Sequence, residues 1–307
     1  MRMGFLGSDR WSVPALRALM ASAHDVALVV TRAPRPAGRG SKLTPTAVAD
    51  AARALGLPVA EVKTVRGGPG LQALRDAKPE LLVVVAYGEI LPAEVLGLAP
   101  RGAVNVHFSL LPRLRGASPV QGVLLAGDET TGVTTMRIDE GLDTGPILLQ
   151  AEEPVRDDDD AGTLGARLAQ IGAGLLVETI DRLAAGDLEP RPQPAQGATY
   201  APKLGSDDRW LRWDEPAESV VRRVRAFAPE PGASARFRGQ VLKVLRAEAA
   251  PGSGTAGTVL AASREGFVVA AGDGAVRLLS VAPAGRRRMS DEEFVRGYRP
   301  EPGELVA

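Results

Sequence analysis

The chain has 307 residues, with 37 basic and 37 acidic side chains, no cysteine and two histidines, His24 and His107. The formal charge is zero, and the composition excludes disulfides, thiolate nucleophiles, Fe–S clusters, Cys-ligated zinc and multi-histidine metal sites. At 45% apolar and 24% charged residues the chain is globular in character, and its length suggests two domains. The longest uninterrupted apolar stretch, Leu81 to Tyr87, has seven residues, against roughly 20 needed to cross a bilayer. Asp9 comes too early for a secretory leader. A soluble, cytoplasmic, monomeric protein without membrane contact is expected.

The first half alternates apolar runs with amphipathic segments. Arg2–Leu6 reads as a strand, Val13–Ala21 as a helix and Asp25–Thr31 as a second, apolar strand. Thr44-Pro45 supplies an N-cap and first-turn proline for a helix reaching Leu55, and Pro69–Ala77 reads as another helix. Leu81–Ala86 and Ala103–His107 are further strands. Apolar strands interleaved with helices imply a parallel sheet covered on both faces, and such sheets bind ligands at the carboxyl ends of their strands. His107 falls at one of those ends. Gly4 and Gly7 do not complete a dinucleotide fingerprint, so no nicotinamide or flavin is expected.

Thr131–Ile138 and Pro146–Glu153 read as two more strands, joined by a loop rich in Gly and Asp. Asp157–Asp160 precedes a long helix, Ala161–Ala185, where carboxylates favour the positive end of the dipole. From Gly186 to Asp208 four prolines mark a semi-extended linker. Beyond it come a helix near Pro216–Phe227 and short β-like runs at Gln240–Ala247, Gly257–Ala261, Gly266–Ala271 and Ala275–Val281. That pattern predicts a small, mostly antiparallel barrel. Residues 209–307 carry 16 basic and 12 acidic side chains, a net +4 balanced by −4 in the rest. This excess suits weak contact with a polyanion, although a solvated face is the commoner meaning. His24 precedes a strand and reads as a surface loop residue; Trp11, Trp210 and Trp213 read as core or interface anchors.

Asn105, His107 and Asp143 carry the chemistry. Residues i and i+2 of a strand project to the same side, so Asn105 and His107 act together. An amide N–H and an imidazole that titrates near neutrality suit an oxyanion that develops as a carbonyl is attacked. A carboxylate can orient the imidazole, and Asp143 sits in the Gly-bracketed loop Gly141-Leu142-Asp143-Thr144-Gly145. An isolated histidine is more often a satisfied core residue; the strand-end position favours function.

Asn105-Val106-His107-Phe108-Ser109-Leu110-Leu111-Pro112, followed by Arg115-Gly116-Ala117-Ser118-Pro119, resembles the signature of folate-dependent formyltransferases. The order, spacing and strand-to-loop context all agree. The resemblance is nearest to members that formylate initiator methionyl-tRNA, and it continues through Ala86–Pro92, Gly141–Gly145, Tyr200–Leu204, Arg225–Phe227 and Pro283–Arg286. It implies a Rossmann-like parallel-sheet catalytic domain at 1–187, a linker at 188–208 and a smaller OB-like, tRNA-binding barrel at 209–307.

By that resemblance the α-amine of methionine attacks the formyl carbon of 10-formyltetrahydrofolate, a tetrahedral intermediate forms and tetrahydrofolate leaves. Asn105 and His107 would stabilise the oxyanion; Asp143 would set the state of His107 and help manage the amine proton. Ser109, Leu110, Leu111 and Pro112 would line the folate site, with no metal. The stretch Thr31–Ala49 carries Arg32, Arg35, Arg39 and Lys42 without one acid over nineteen residues. A basic Pro/Gly-rich loop of this kind suits tRNA phosphates, and Arg286 and Arg287 form a second candidate contact. The chain departs from the family pattern at Ser8–Pro14, where a Gly-Thr-Pro-x-Phe-like opening is usual. Phe108 takes the place of a small residue and Leu114 that of an aromatic. Two rivals remain: a formyltransferase acting on an amino sugar nucleotide or glycinamide ribonucleotide, and a non-catalytic RNA-binding protein.

Overall fold

The computed structural model describes residues 1–37, 42–263 and 266–307. In chain order the first part comprises β1 (Arg2–Gly7), α1 (Val13–Met20), β2 (Asp25–Arg32), β3 (Arg35–Ala37), β4 (Lys42–Thr44), α2 (Ala47–Ala54), β5 (Val59–Val62) and α3 (Gly68–Ala77). It continues with β6 (Leu81–Val85), α4 (Ala93–Leu96), β7 (Ala103–His107), α5 (Pro119–Ala126), β8 (Thr130–Arg137), β9 (Ile147–Pro154) and α6 (Ala161–Ala185). There follow α7 (Ala217–Phe227), β10 (Ala233–Phe237), β11 (Gln240–Ala250), β12 (Val259–Ser263), β13 (Gly266–Ala270), β14 (Ala275–Pro283), β15 (Met289–Ser290) and α8 (Asp291–Tyr298). Two compact units result, each discontinuous in sequence. One holds Met1–Pro119, Thr130–Pro154 and Gly165–Ala201; the other holds Val120–Glu129, Val155–Leu164 and Pro202–Ala307.

The first unit is built on a seven-stranded sheet in the order β5-β2-β1-β6-β7-β8-β9. The first five strands in that order pair parallel, while β8 and β9 run antiparallel at one edge. Every residue of β6 is buried, as expected for a strand covered on both sides. Leu6, Leu28, Val30, Leu82 and Val84 share one core with Leu71 and Leu74 of α3 and Val95 of α4. The alternate residues Phe5, Val29 and Val83 are completely buried on the other face. Each such burial contributes about 1.5–3 kcal/mol. A Cβ at Gly172 of α6 would lie 2.9 Å from Val106 Cγ1 and 3.3 Å from Val133 Cγ1, so glycine lets α6 lie close against β7 and β8. β7 is thereby packed closely under α6, with His107 at its carboxyl end.

Local structure departs from the sequence expectation at several points. The helix expected from a Thr44-Pro45 cap starts later: Thr46 is the N-cap, its hydroxyl accepting from Ala49 N at 3.1 Å and sharing a 2.6 Å hydrogen bond with Thr31 Oγ1. Thr44 instead ends β4, which pairs with β3 as a short hairpin within the basic loop. His24 lies in the bend before β2, as expected, but is half-buried rather than fully exposed. Its side chain is 7% exposed, bonded through Nε2 to Asp181 at 2.9 Å and through Nδ1 to the N-terminus at 3.2 Å. Asp159 and Asp160 do serve the start of α6, Asp160 accepting from Thr163 N at 2.9 Å.

In the second unit the sheet order is β10-β11-β14-β13-β12, antiparallel throughout, with β15 added to β14. β10 carries no strong sequence signal and was not among the expected strands. The outer strands are joined by the C-terminal tail: Ala307 N donates to Arg236 O at 2.8 Å, and Val306 N donates to Gly257 O at 2.7 Å. Part of each outer edge is thereby paired, which reduces a template for unwanted pairing. Its interior is marked by Phe267 and Phe294, stacked with ring centroids 5.0 Å apart, and Phe237 set edge-on to both. Trp213 is buried and Trp210 lies under the Arg236 guanidinium, 4.8 Å from its ring centroid. Among the described residues no helix is long and apolar enough to cross a membrane.

Candidate active site

His107 ends β7 in register with Thr134 of β8, and it is 5% exposed. Its Nε2 lies 2.9 Å from the backbone carbonyl of Leu114. A carbonyl only accepts, so Nε2 carries the hydrogen and Nδ1 is the nitrogen left to take or release a proton. That Nδ1 faces Asp143, with Oδ2 at 3.8 Å. The two groups distant in sequence therefore meet, slightly beyond direct hydrogen-bond reach. Closing that gap needs only a small movement or one bridging water.

Asp143 is held from several directions. Its backbone is left-handed, with φ +52°, and its carboxylate accepts from Gly116 N at 2.8 Å. Asp139 Oδ1 accepts from Gly141 N at 3.0 Å and from Thr144 Oγ1 at 2.8 Å, which tightens the same loop. Gly116 itself has φ +114°, and a Cβ there would meet Ala201 O at 2.6 Å. Only glycine fits this position without displacing the neighbouring chain.

Asn105 lies two residues before His107 on β7, on the same face, and is half-buried. Among the described residues no hydrogen bond engages its side-chain amide, so its N–H groups remain available to a ligand oxygen.

The loop Ser109–Pro112 is pinned by side chains of the two antiparallel strands. Thr134 Oγ1 donates to Ser109 O at 2.7 Å and accepts from Leu111 N at 3.1 Å, while Gln150 Nε2 donates to Leu111 O at 3.0 Å. Ser109 Oγ donates to Arg113 O at 2.6 Å, and Leu111 packs with Met136 and Ile147. Ser109 and Leu111 are thus buried, whereas Leu110 and Pro112 are half-exposed. The segment is thus fixed, with Leu110 and Pro112 its two part-exposed residues.

Two of the three departures from the family pattern touch each other: Trp11 and Phe108 pack edge-on with centroids 6.1 Å apart at 85°. They form a single coupled change beside β7.

The basic candidates divide. Arg32 is half-buried and bonded to Glu89 at 2.8 Å; Thr64 also donates a short hydrogen bond to Glu89. Arg35 is exposed. Arg39 lies outside the described residues, and Lys42 stands in register with Ala37 on the β3–β4 hairpin. In the second unit Arg286 is exposed, and Arg287 donates to Glu293 at 2.8 Å. Beside Glu89, Tyr87 is 2% exposed, and its hydroxyl has no hydrogen-bond partner among the described residues. Burial, and secondly the Glu89 charge, outweigh the opposing Arg32 guanidinium beside the hydroxyl and push its phenol up to about 12.

Residues that sequence reasoning missed include Thr134, Gln150, Gln193 and Thr199. Thr199 Oγ1 accepts from Leu114 N at 2.8 Å, fixing the residue whose carbonyl holds His107. A polar residue in a buried strand could have flagged Thr134; Gln193 and Thr199 had no local signal.

The sequence model of the family described as formyl transferase matches residues 1–180, and that of its C-terminal domain matches residues 203–299. The chain belongs to the formyl transferase family. It is 45% identical to the methionyl-tRNA formyltransferase of Aromatoleum aromaticum over 99% of this chain and 96% of that one. It is 46% identical to the methionyl-tRNA formyltransferase of Thermus thermophilus over 99% and 98%. Among solved structures, HypX from Aquifex aeolicus in complex with tetrahydrofolic acid superimposes with a TM-score of 0.65 at 19% identity. The match covers 100% of this chain and 50% of HypX, so this chain spans about half the length of that protein. At that identity the likeness speaks for a shared formyl transferase fold alone.

Proposed function

We propose that this enzyme transfers the formyl group of 10-formyltetrahydrofolate to the free α-amine of methionine on initiator methionyl-tRNA, in the cytoplasm, in support of translation initiation. This reading is supported by the approach of Asp143 to His107 at the carboxyl end of β7, with Asn105 two residues earlier on the same strand, in a chain about 45% identical over nearly its whole length to methionyl-tRNA formyltransferases. Leu110 and Pro112 would meet the folate ring system.

His107 Nε2 is committed to Leu114 O, and this divides the labour. The Asn105 amide donates to the formyl oxygen as negative charge develops there. His107 Nδ1, backed by Asp143, takes the proton that the amine must lose once its nitrogen bonds to the formyl carbon. The imidazolium then sits between Leu114 O and the Asp143 carboxylate and returns its proton as the bond from the formyl carbon to the folate nitrogen breaks. One proton is moved, and no covalent bond to the enzyme forms. Such proton transfer typically contributes 10²- to 10⁴-fold, and one preorganised oxyanion donor about 10²- to 10³-fold.

The cations at Arg35, Arg39, Lys42 and Arg286 would meet tRNA phosphates. Arg32 and Arg287 are engaged with acids and would contribute less. The domain assignment at 1–187, 188–208 and 209–307 accompanies this proposal, the last segment serving tRNA.

The test is an acceptor comparison with purified protein and 10-formyltetrahydrofolate. Formylmethionyl-tRNA should accumulate with charged initiator tRNA. Transfer to an amino sugar nucleotide or to glycinamide ribonucleotide in its place would overturn the assignment.

A further inference from the structure

Gln193 lies between two prolines, in the stretch Arg191-Pro192-Gln193-Pro194 that reads from sequence as a linker. In the structure this stretch is pinned to the catalytic unit. Ile147 N donates to Arg191 O and Arg191 N to Ile147 O, both at 2.8 Å. Further along, Arg115 N donates to Thr199 O and Ala201 N to Arg115 O, again at 2.8 Å.

Between these anchors the Gln193 amide makes four hydrogen bonds. Nε2 donates to Asp143 O and to Gly145 O, each at 2.8 Å. Oε1 accepts from Arg115 Nε at 3.1 Å and from Arg115 Nη2 at 2.6 Å. An amide has two N–H donors and two acceptor lone pairs, so all its capacity is used, and a flipped amide would set oxygen against two carbonyls.

The two carbonyls bracket the one bend on which His107 depends. Asp143 is a non-glycine residue at φ +52°, a left-handed conformation that carries strain and persists only where the surroundings impose it. Arg115, on the other side of Gln193, directly precedes Gly116, whose N–H holds the Asp143 carboxylate. Gln193 thus joins the loop carrying Asp143 to the loop that receives its side chain.

We infer that Gln193 is a positioning residue: its two N–H bonds hold the Asp143 backbone in the bend that aims the carboxylate at His107 Nδ1. The inference rests on the formyl-transfer reading above. Without those bonds Asp143 relaxes toward negative φ and its carboxylate leaves His107, whereas the Leu110–Pro112 segment and the basic loop stay in place. Chemistry should suffer and binding should not.

Two substitutions in the full chain test this. Gln193→Met has similar length and removes all four bonds. Gln193→Glu keeps the acceptor for Arg115 but cannot donate to the carbonyls of Asp143 and Gly145. Both should lower kcat roughly 10- to 100-fold, the loss expected for a displacement of about 1 Å at a reacting group. KM for 10-formyltetrahydrofolate and for methionyl-tRNA should stay within about twofold. Amide hydrogen exchange over residues 139–146 should quicken in both variants. Wild-type kcat in Gln193→Glu would overturn the inference, as would a raised KM at unchanged kcat or unchanged exchange over 139–146. Should Gln193→Met fail to fold, Gln193→Glu decides. If the wild-type protein transfers no formyl group, the functional reading falls, while the exchange measurement still tests the positioning claim separately.

Discussion

The Asp143 carboxylate accepts a hydrogen bond from Gly116 N at 2.8 Å and, through the same oxygen, stands 3.8 Å from His107 Nδ1. One oxygen therefore both anchors the loop and faces the imidazole. Asp143→Asn keeps an oxygen able to accept from Gly116 but removes the charge that backs a protonated imidazole. Formylation should fall by about 10²- to 10⁴-fold with little change in either KM, as measured by single-turnover transfer to methionyl-tRNA. A loss of less than threefold would remove Asp143 from the mechanism.

Gly116→Ala probes the same contact from the other side. The new methyl group would lie 2.6 Å from Ala201 O, at a backbone φ of +114°. Stability should drop by roughly 1–3 kcal/mol, read from chemical denaturation. kcat should fall with it, even for the folded fraction, because the N–H that holds Asp143 moves. A variant of wild-type stability and rate would show that this approach is not required.

Tyr87 gives a prediction in pH. Burial first, and the Glu89 charge second, raise its phenol from 10.0 to about 12. The folded protein holds this proton more tightly than the unfolded chain. Its contribution, of order 2–3 kcal/mol, is therefore complete below pH 10 and is lost as pH rises through about 12. Tyr87→Phe should flatten the decline of stability over that window. A phenolate absorbance titration of the folded protein should show a step near the raised value, and that step should vanish in the variant.

Thr46→Ala removes the hydroxyl that caps α2 and bonds Thr31 at the end of β2. A cost of about 1 kcal/mol is expected, measurable as a fall in denaturation midpoint at unchanged slope. A neutral result would return the cap to the Thr44-Pro45 position favoured by sequence.

What the sequence reveals follows from how local each signal is. β6 is legible because all five of its residues are buried and apolar, and β7 because Asn105 and His107 interrupt an otherwise apolar run. The direction of β8 and β9 is not written in their residues, since an apolar alternation looks alike in either orientation. Thr44 and Thr46 flank the same proline, and only the path of the β3–β4 hairpin decides which one caps α2. His24 resembles a loop residue until α6 brings Asp181 beside it. The trio proposed for catalysis is visible through residue type and motif, but its support is not. Gln193 and Thr199 act through a chain return 50 to 85 residues after the loops they hold, within a Pro-rich segment that carries no periodicity.

The basic residues can be ranked by what already occupies them. Arg287 donates to Glu293, and this bond, with that from Ser290 N, holds the Glu293 carboxyl below its ordinary range. Arg286, next to it, is exposed and makes no ion pair among the described residues. A cation already paired releases fewer counterions when it meets a phosphate, since its charge is partly neutralised beforehand. Arg286→Ala should therefore raise KM for tRNA and lower the slope of log affinity against log salt by about one, leaving KM for 10-formyltetrahydrofolate unchanged. Arg287→Ala should change the slope by less than half as much. Should both substitutions leave the salt dependence at its wild-type value, tRNA does not use this face of the barrel, and the polyanion contact must rest on Arg35, Arg39 and Lys42.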